Sequence, residues 1–570
     1  MTTEEKIQVI LHDATERLLS KRREDGMWEG HLSSSAISTA VSIFALSVID
    51  RQKYSQEIEC GTKWLLGTMK DEGTWGDSVE SPANMTATLL SYTALTHLGQ
   101  VPPATDHYIH ETLGWHNEKQ LIDGVLSYYG RDLTFSVPIL MMCALAGIIS
   151  DWKRIPLFPF ELAVLPQSTF RFLNLPVVSY AIPALIAVGI LQNRKRKTWF
   201  AAIREKFVPK ALRILTKMQP QDGGFLEAAP LTAFVSMCLA EAGLPQHPVT
   251  LACAQFLRET QREDGAWPID TNLAGWVTSL SCRAVGDQLS QAQRAQLAET
   301  IRGNATTKKH PFTGAPAGGW GWTNLSGSVP DGDDTSGALV ALHTLLDGKY
   351  VPEVGAGIGW LIQLQNRDGG MPTFCRGWGK LPFDRSTPDI TAHAVLAMSL
   401  WYPVLPADQQ PRCKKSIDLM LSWLEKTMTK DGSWVPLWFG DQDATGGKDL
   451  EMKNPVYGAA TIIDYLQTAK ITMAMNGKEF LLSCQNTDGG WGGNIGVPSK
   501  VTLTAKALGA LSYFRPETDD AIRRGIDYLY EQYEAGSLYR REPIGLYFSR
   551  LWYSEELYSY TYIISALKRL

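Results

Sequence analysis

The sequence predicts an all-α fold built as two α/α barrels. Three observations carry this: a short turn that recurs along the chain, helix-period apolar segments on either side of it, and a scarcity of period-two apolar runs. The turn reads Asp25-Gly26-Met27-Trp28, Glu72-Gly73-Thr74-Trp75, Asp222-Gly223-Gly224-Phe225 and Asp264-Gly265-Ala266-Trp267. It returns as Ala317-Gly318-Gly319-Trp320, Asp368-Gly369-Gly370-Met371, Asp431-Gly432-Ser433-Trp434 and Asp488-Gly489-Gly490-Trp491.

Each copy has a physical reading. An amphipathic helix ends just before the turn, and the glycine supplies a positive φ without steric cost. Gln219, Gln261, Gln365 and Gln485 stand where a side-chain amide can bond backbone at that helix end. The Trp is expected to pack back on the same end. A second helix rich in small residues follows, as at 501–511. Two helices per repeat suggest toroids or a solenoid. The copies are too few for one large barrel, so two smaller ones are expected. Residues 22–271 form an inserted barrel, and 1–21 with 272–570 form the barrel that carries the candidate chemistry.

The chain has 570 residues and a formal charge of −5, which gives no basic field for nucleic acid. Trp 18, Tyr 20 and Phe 18 supply many π faces for a core, a ligand, or both. The eight cysteines are scattered and no CxxC occurs, against a zinc knot or disulfide framework. The polar first residues lack a secretory h-region, so a cytosolic, reducing compartment is expected. Two uncharged stretches, 133–150 and 172–193, stand out. The second precedes Arg194-Lys195-Arg196-Lys197, a cluster suited to anionic headgroups, and contains Asn174, Pro176 and Pro183, which disfavour a membrane span. A buried core helix and a membrane-dipping element are the competing readings.

The candidate chemistry lies in Asp331-Gly332-Asp333-Asp334, just before an apolar run. One aspartate would suffice as a helix cap. Three crowded carboxylates cannot all ionise easily, and a retained proton beside an apolar cavity is a general acid. A second segment, 386–393, reads as a helix start with Thr387 as N-cap and Pro388 in the first turn. On it Asp389 and His393 are i,i+4 neighbours, the spacing at which a carboxylate can orient an imidazolium.

This combination resembles the squalene–hopene cyclases and related class II triterpene cyclases. The repeats look like that family's QW motifs, Asp331-Gly332-Asp333-Asp334 like its DxDD motif, and 387–393 like its acidic–histidine motif. The resemblance implies Asp333 as proton donor to a terminal alkene, His393 with Asp389 as its activators, and Asp331 and Asp334 as support. It implies Trp322, Trp276, Phe374, Trp438 and, less securely placed, Tyr180 as cavity aromatics. The aromatic stretch 546–553 matches the family's C-terminus in character. No metal or cofactor is implied for initiation. The implied partners are an apolar polyprenyl substrate such as squalene and a peripheral contact with the inner face of the membrane; a homodimer stays open. The chain is shorter than typical members, Gly332 fills the variable motif position, and Phe225 and Met371 replace Trp. These departures leave open a shorter substrate, either a prenyl diphosphate or a prenylated aromatic. The rivals are a protein prenyltransferase β-subunit, which would need a zinc site of Asp, Cys and His, and a non-catalytic scaffold.

Overall fold

The computed structural model describes residues 1–130, 133–165, 169, 181–196, 198–311, 313–374, 384–444, 452–467, 471–546 and 551–570. Helix α1 (Thr3–Ser20) opens the chain. Helices α2 (Ala36–Asp50), α3 (Met85–Leu98), α4 (Leu133–Leu145), α5 (Ile182–Arg196) and α6 (Ala229–Glu241) touch in sequence, and α6 closes back on α2. Helices α7 (Ala274–Val285), α8 (Gly332–Leu345), α9 (Pro388–Trp401), α10 (Pro455–Leu466), α11 (Val501–Leu511) and α12 (Leu557–Leu567) form a second ring, closed by α12 against α7. Each ring carries an outer layer of helices, such as Ser55–Gly67 on α2 and Pro352–Leu364 on α8.

The division follows from residue pattern. Inner helices are apolar all round and bury nearly every side chain, whereas outer helices bury one stripe. Thus α2 is buried continuously from Ala36 to Ser47, but helix Val208–Met218 buries only Val208, Ala211, Leu215 and Met218. The two uncharged stretches are settled by this rule. The described part of the second, 182–193, is the wholly buried face of α5, and α4 is buried from Ser136 to Ala144. The core-helix reading holds for 136–144 and for 182–193, while 172–180 lie outside the described residues. Among the described residues no helix is long and apolar enough to cross a membrane. The cationic cluster is also consumed internally. Arg194 pairs with Glu205 (2.6 Å), Lys195 with Glu241 (3.1 Å), and Arg196 donates to the Lys153 carbonyl (2.8 Å). Lys197 lies outside the described residues.

The recurring turn acts as a fastener. Its glycine has positive φ in all eight copies, from 76° at Gly73 to 108° at Gly318. The amides of Gln219, Gln261, Gln365 and Gln485 donate across the turn to the carbonyls of Gly223, Gly265, Gly369 and Gly489 at 2.7–3.1 Å. Indole N–H groups return to the preceding helix end, as from Trp491 to the Leu481 carbonyl (2.7 Å) and from Trp434 to that of Leu424 (2.9 Å). A further link was not foreseen from the sequence. The backbone N–H of Trp28, Trp75, Phe225, Trp267, Trp320, Met371 and Trp491 donates to a threonine hydroxyl in the first turns of an inner helix, at 2.9–3.1 Å. The fastener therefore joins an outer helix, a turn and an inner helix.

Two of these links join segments more than two hundred residues apart in the chain. Trp28, which follows α1, bonds Thr278 of α7, while Trp267 bonds Thr39 of α2. The crossing strands Ser34–Ser35 and Trp267–Pro268 pair antiparallel beside each other. Helix α1 accordingly packs on α12 and α7, in the second ring.

Thr504→Val keeps the side chain's shape but removes the acceptor of the buried Trp491 N–H. An unpaired buried donor costs about 1–3 kcal/mol, so the melting temperature should fall, and Thr504→Ser should recover most of it. A Val variant melting with the wild type would remove the threonine link from the fold's stabilising contacts.

Candidate active site

A cavity of about 270 Å³ lies between the rings. The first ring contributes Ile37, Leu90, Pro138 and Phe234, and the second contributes the acidic run and most of the aromatic wall.

Asp331 is the N-cap of α8, and its Oδ1 accepts the N–H groups of Asp333 and Asp334, both at 2.9 Å. The helix thus begins inside the acidic run, and one carboxylate meets the capping need. The remaining two are free for other work. Burial pushes the Asp331 carboxyl up to about 7, and pushes Asp334 well above the carboxylate range, with the nearby Asp331 charge adding to it. Buried together, the two carboxyls disfavour double ionisation, so the pair retains a proton.

Asp333 points the other way. Its Oδ1 lies 2.6 Å from His393 Nδ1, on the neighbouring helix α9, and its side chain keeps 22% of its surface open at the cavity. His393 is buried, stacked on Tyr465 at 4.5 Å and met edge-on by Trp276 at 6.0 Å. Asp389 does not make the expected pairing with His393. Its Oδ1 accepts the Thr387 hydroxyl (2.6 Å), and its Oδ2 is buried with no partner among the described residues. Burial lifts it to about 6, against that hydrogen bond. Thr387 occupies the N-cap position, but its hydroxyl makes no capping bond; it is spent on Asp389 and accepts the Leu437 N–H (3.1 Å). The reason is reach. His393 swings across to α8, where Asp333 offers a closer carboxyl than the one on its own helix.

Behind this pair lies a buried cationic group that sequence reading missed. Arg283 packs over Tyr465 (4.9 Å) and pairs with Asp464 (2.9 Å), which also meets Arg569. Burial works to raise Asp464, but the two guanidiniums outweigh it and hold it at about 2. Lys506 sits between the rings of Tyr457 (4.4 Å) and Tyr562 (4.3 Å), and burial lowers its ammonium to about 8. The available signal was a lone lysine inside the apolar run 501–511.

Trp276, Trp322, Phe374 and Trp438 all line the cavity. Trp322, Phe374 and Trp438 form a continuous series with ring centroids 5.8 Å apart at each step. Backbone fixes Trp276 beside Trp322: the N–H groups of Gly275 and Trp276 both donate to the Trp322 carbonyl, at 2.6 and 3.2 Å. A Cβ on Gly275 would meet the Gly321 carbonyl at 2.7 Å, so only glycine permits this approach. Tyr180 lies outside the described residues, as do 547–550 of the C-terminal aromatic stretch. Tyr553, from the C-terminal aromatic stretch, also lines the cavity, and Phe135, Phe234 and Phe439 do so though no motif marked them.

Residues 11–110 match the family model of the squalene-hopene cyclase N-terminal domain, and residues 270–570 that of the C-terminal domain. The chain is 24% identical to enfumafungin synthase of Hormonema carpetanum across 91% of its own length, but spans only 45% of that protein. It is 23% identical to a probable squalene–hopene cyclase of Sinorhizobium fredii, covering 92% of this chain and 90% of that one. Among solved structures it resembles ent-copalyl diphosphate synthase from Streptomyces platensis, with a TM-score of 0.53 and 16% identity, covering 100% and 99% of the two chains.

Asp334 yields a stability test. Its folded-state carboxyl titrates well above 3.8, so above that pH the folded chain binds more protons than the unfolded one. Stability is then lost as pH rises through the window. Asp334→Asn keeps a donor to Asp331 without a titratable proton. Its melting temperature should gain on the wild type between about pH 5 and about pH 8; parallel profiles would mean that Asp334 carries no such proton.

Proposed function

The chain belongs to the squalene–hopene cyclase family of class II terpene cyclases, and we propose that Asp333 protonates the terminal alkene of a linear polyprene to start a cationic polycyclisation. The observation that carries this reading is the Asp333–His393 pair at 2.6 Å, opening onto an aromatic-walled cavity. With the His393 Nδ1–H donating to Oδ1, the other carboxyl oxygen is left to carry the proton offered to the alkene. Asp331 and Asp334 hold the helix start and its local proton in place. Asp389 acts on the site through its charge and through Thr387 rather than by touching His393.

The new tertiary cation propagates through successive double bonds along the Trp322, Phe374 and Trp438 faces. Each face stabilises it by about 0.5–2 kcal/mol. Arg283, Lys506 and Arg569 lie behind the acid, so Coulomb repulsion favours travel away from Asp333. The apolar lining keeps water from quenching the cation early.

A neutral polyprene such as squalene suits the walls best. Among the described lining residues there is no Lys, Arg or His, while four carboxyls, of Asp270, Asp331, Asp333 and Asp334, face the space. A diphosphate would meet those carboxyls without a cation to offset them. The division into an inserted domain, 22–271, and a catalytic domain, 1–21 with 272–570, belongs to this proposal. The crossed bonds of Trp28 and Trp267 support it.

A very apolar substrate is drawn from a membrane, and the surface offers a contact. Trp199, Ile203 and Phe207 are 87%, 56% and 38% exposed at four-residue spacing, with exposed Lys206 and Lys210 alongside.

Asp333→Asn should lower turnover by about 10³-fold or more with an unchanged melting temperature. Substantial turnover of the true substrate by that variant would falsify Asp333 as the donor. In a vesicle sedimentation assay, Trp199→Ser with Ile203→Ser should release the protein from phosphatidylglycerol-containing vesicles while cyclisation of detergent-dispersed substrate persists. Undiminished sedimentation would place the membrane contact elsewhere.

A further inference from the structure

The mechanism above uses the carboxyls of the second ring's helix starts and leaves one cavity carboxyl without a task. Asp270 stands on the segment that crosses between the rings, among Leu226, Ala228, Ile269 and Leu273 of the lining. It is enclosed by protein yet keeps part of its surface open to the cavity. No described residue is recorded donating a hydrogen bond to its carboxyl, and burial alone pushes it up to about 7. A carboxyl that merely completed a structural network would have partners.

Its backbone is held with unusual care. Asp270 forms an antiparallel bridge with Ala228, and the Thr271 N–H and hydroxyl both donate to the Glu227 carbonyl, at 3.1 and 3.2 Å. The opposing segment is strained: Leu226 and Glu227 lie in the left-handed region at φ 57° and 56°. That conformation is sterically unfavourable for a non-glycine residue. The buried Glu227 carboxyl accepts the Thr323 hydroxyl (2.7 Å), and Gly327 leaves it room, since a Cβ there would meet Glu227 Cγ at 2.7 Å. Strain retained against such costs marks a position that serves a function.

We propose that Asp270 is the base that ends the cascade, an inference that rests on the cyclase reading above. In its ionised form the carboxylate takes a proton from a carbon adjacent to the last carbocation. That C–H bond breaks, its electron pair becomes the new C=C bond, and Asp270 is left as the carboxylic acid. It returns the proton to solvent when product leaves. Asp333 gives one proton and Asp270 removes one, so the product is an alkene isomeric with the substrate. The two groups sit on separate walls. Asp333 heads α8 beside Asp389, and Asp270 faces Ala228 at the crossover. Initiation and termination are thereby kept apart.

The test is product analysis by mass spectrometry after incubation with squalene, geranylgeranyl diphosphate and a prenylated arene. Wild-type enzyme should convert at least one of these to a cyclic alkene. Asp270→Asn and Asp270→Ala are compared with the wild type at equal substrate consumption. The parent alkene should fall by about tenfold or more as a share of product, replaced by isomeric alkenes or by alcohols. Asp270→Glu, which keeps the carboxyl, should retain the parent alkene as the main product. An unchanged product profile in folded Asn and Ala variants overturns the assignment alone. So does a wild-type product that is an alcohol, or complete loss of turnover in variants that melt normally. Failure of the wild type on every substrate overturns the cyclase reading itself.

Discussion

The hydrogen bond from His393 to Asp333 joins two adjacent inner helices, and its geometry requires the ring to be built as it is. Both residues sit in the first turns of their helices, α8 and α9. The N-terminal parts of α8 and α9 are each tied to a recurring turn, through Thr335 to Trp320 and through Thr391 to Met371. Four-residue spacing on a single helix could bring Asp389 and His393 near each other. Only the ring brings Asp333 within 2.6 Å of His393. The helix dipole at these starts favours ionised carboxyls by about 0.3–1 kcal/mol each. Full burial can shift a carboxyl by up to about 3–5 pKa units in the other direction. Burial wins at Asp331, Asp334 and Asp389, and all three are pushed up. A site that has to hold protons next to a hydrocarbon therefore cannot be placed at an exposed helix end. It needs the first ring to cover it.

Charge is graded across this centre. Arg283, Lys506 and Arg569 lie on the far side of Tyr465 and Tyr562, while the aromatic series from Trp322 to Trp438 lies in front. The guanidiniums are held by Asp464, and Lys506 faces tyrosine rings. These cations are thus fixed in place without being fully neutralised. On the proposed reading, a positive charge formed beside Asp333 would meet repulsion behind and quadrupole attraction ahead. The same layout explains why the cationic group was invisible in sequence. Its members come from α7, α11 and the chain's end, and each looks like an ordinary charged residue until the ring closes.

What could be read in advance was local. The turn glycines, the glutamine amides and the returning indoles are set by residues within about ten positions of one another, where spacing alone decides contact. The acidic run and its first helical turn were legible for the same reason, as were Trp276, Trp322, Phe374 and Trp438 through motif position. The threonine acceptors were not, because Trp28 finds its partner at Thr278 and Trp267 finds its own at Thr39. Spacing alone offered His393 the nearer Asp389, whereas the family resemblance made His393 the activator of Asp333, and the two do meet. The uncharged stretch at 182–193 has one composition for a bilayer and for a barrel interior, and only the surrounding helices distinguish them.

The crossed insertion gives the cavity two walls with different duties. Had the rings followed one another in tandem, a single linker would join them and their relative placement would be loose. Here the chain passes between the rings twice, and the two passages are sewn to each other by the pairing of Ser34–Ser35 with Trp267–Pro268. Three residues beyond that pairing the chain is clamped again, where Thr271 meets Glu227 and Glu227 meets Thr323 of the loop leading to the acidic run. The acid's own approach loop is thus tied to the crossover. The hydrogen bonds of Glu227 with Thr271 and with Thr323 hold the crossover in register with that loop.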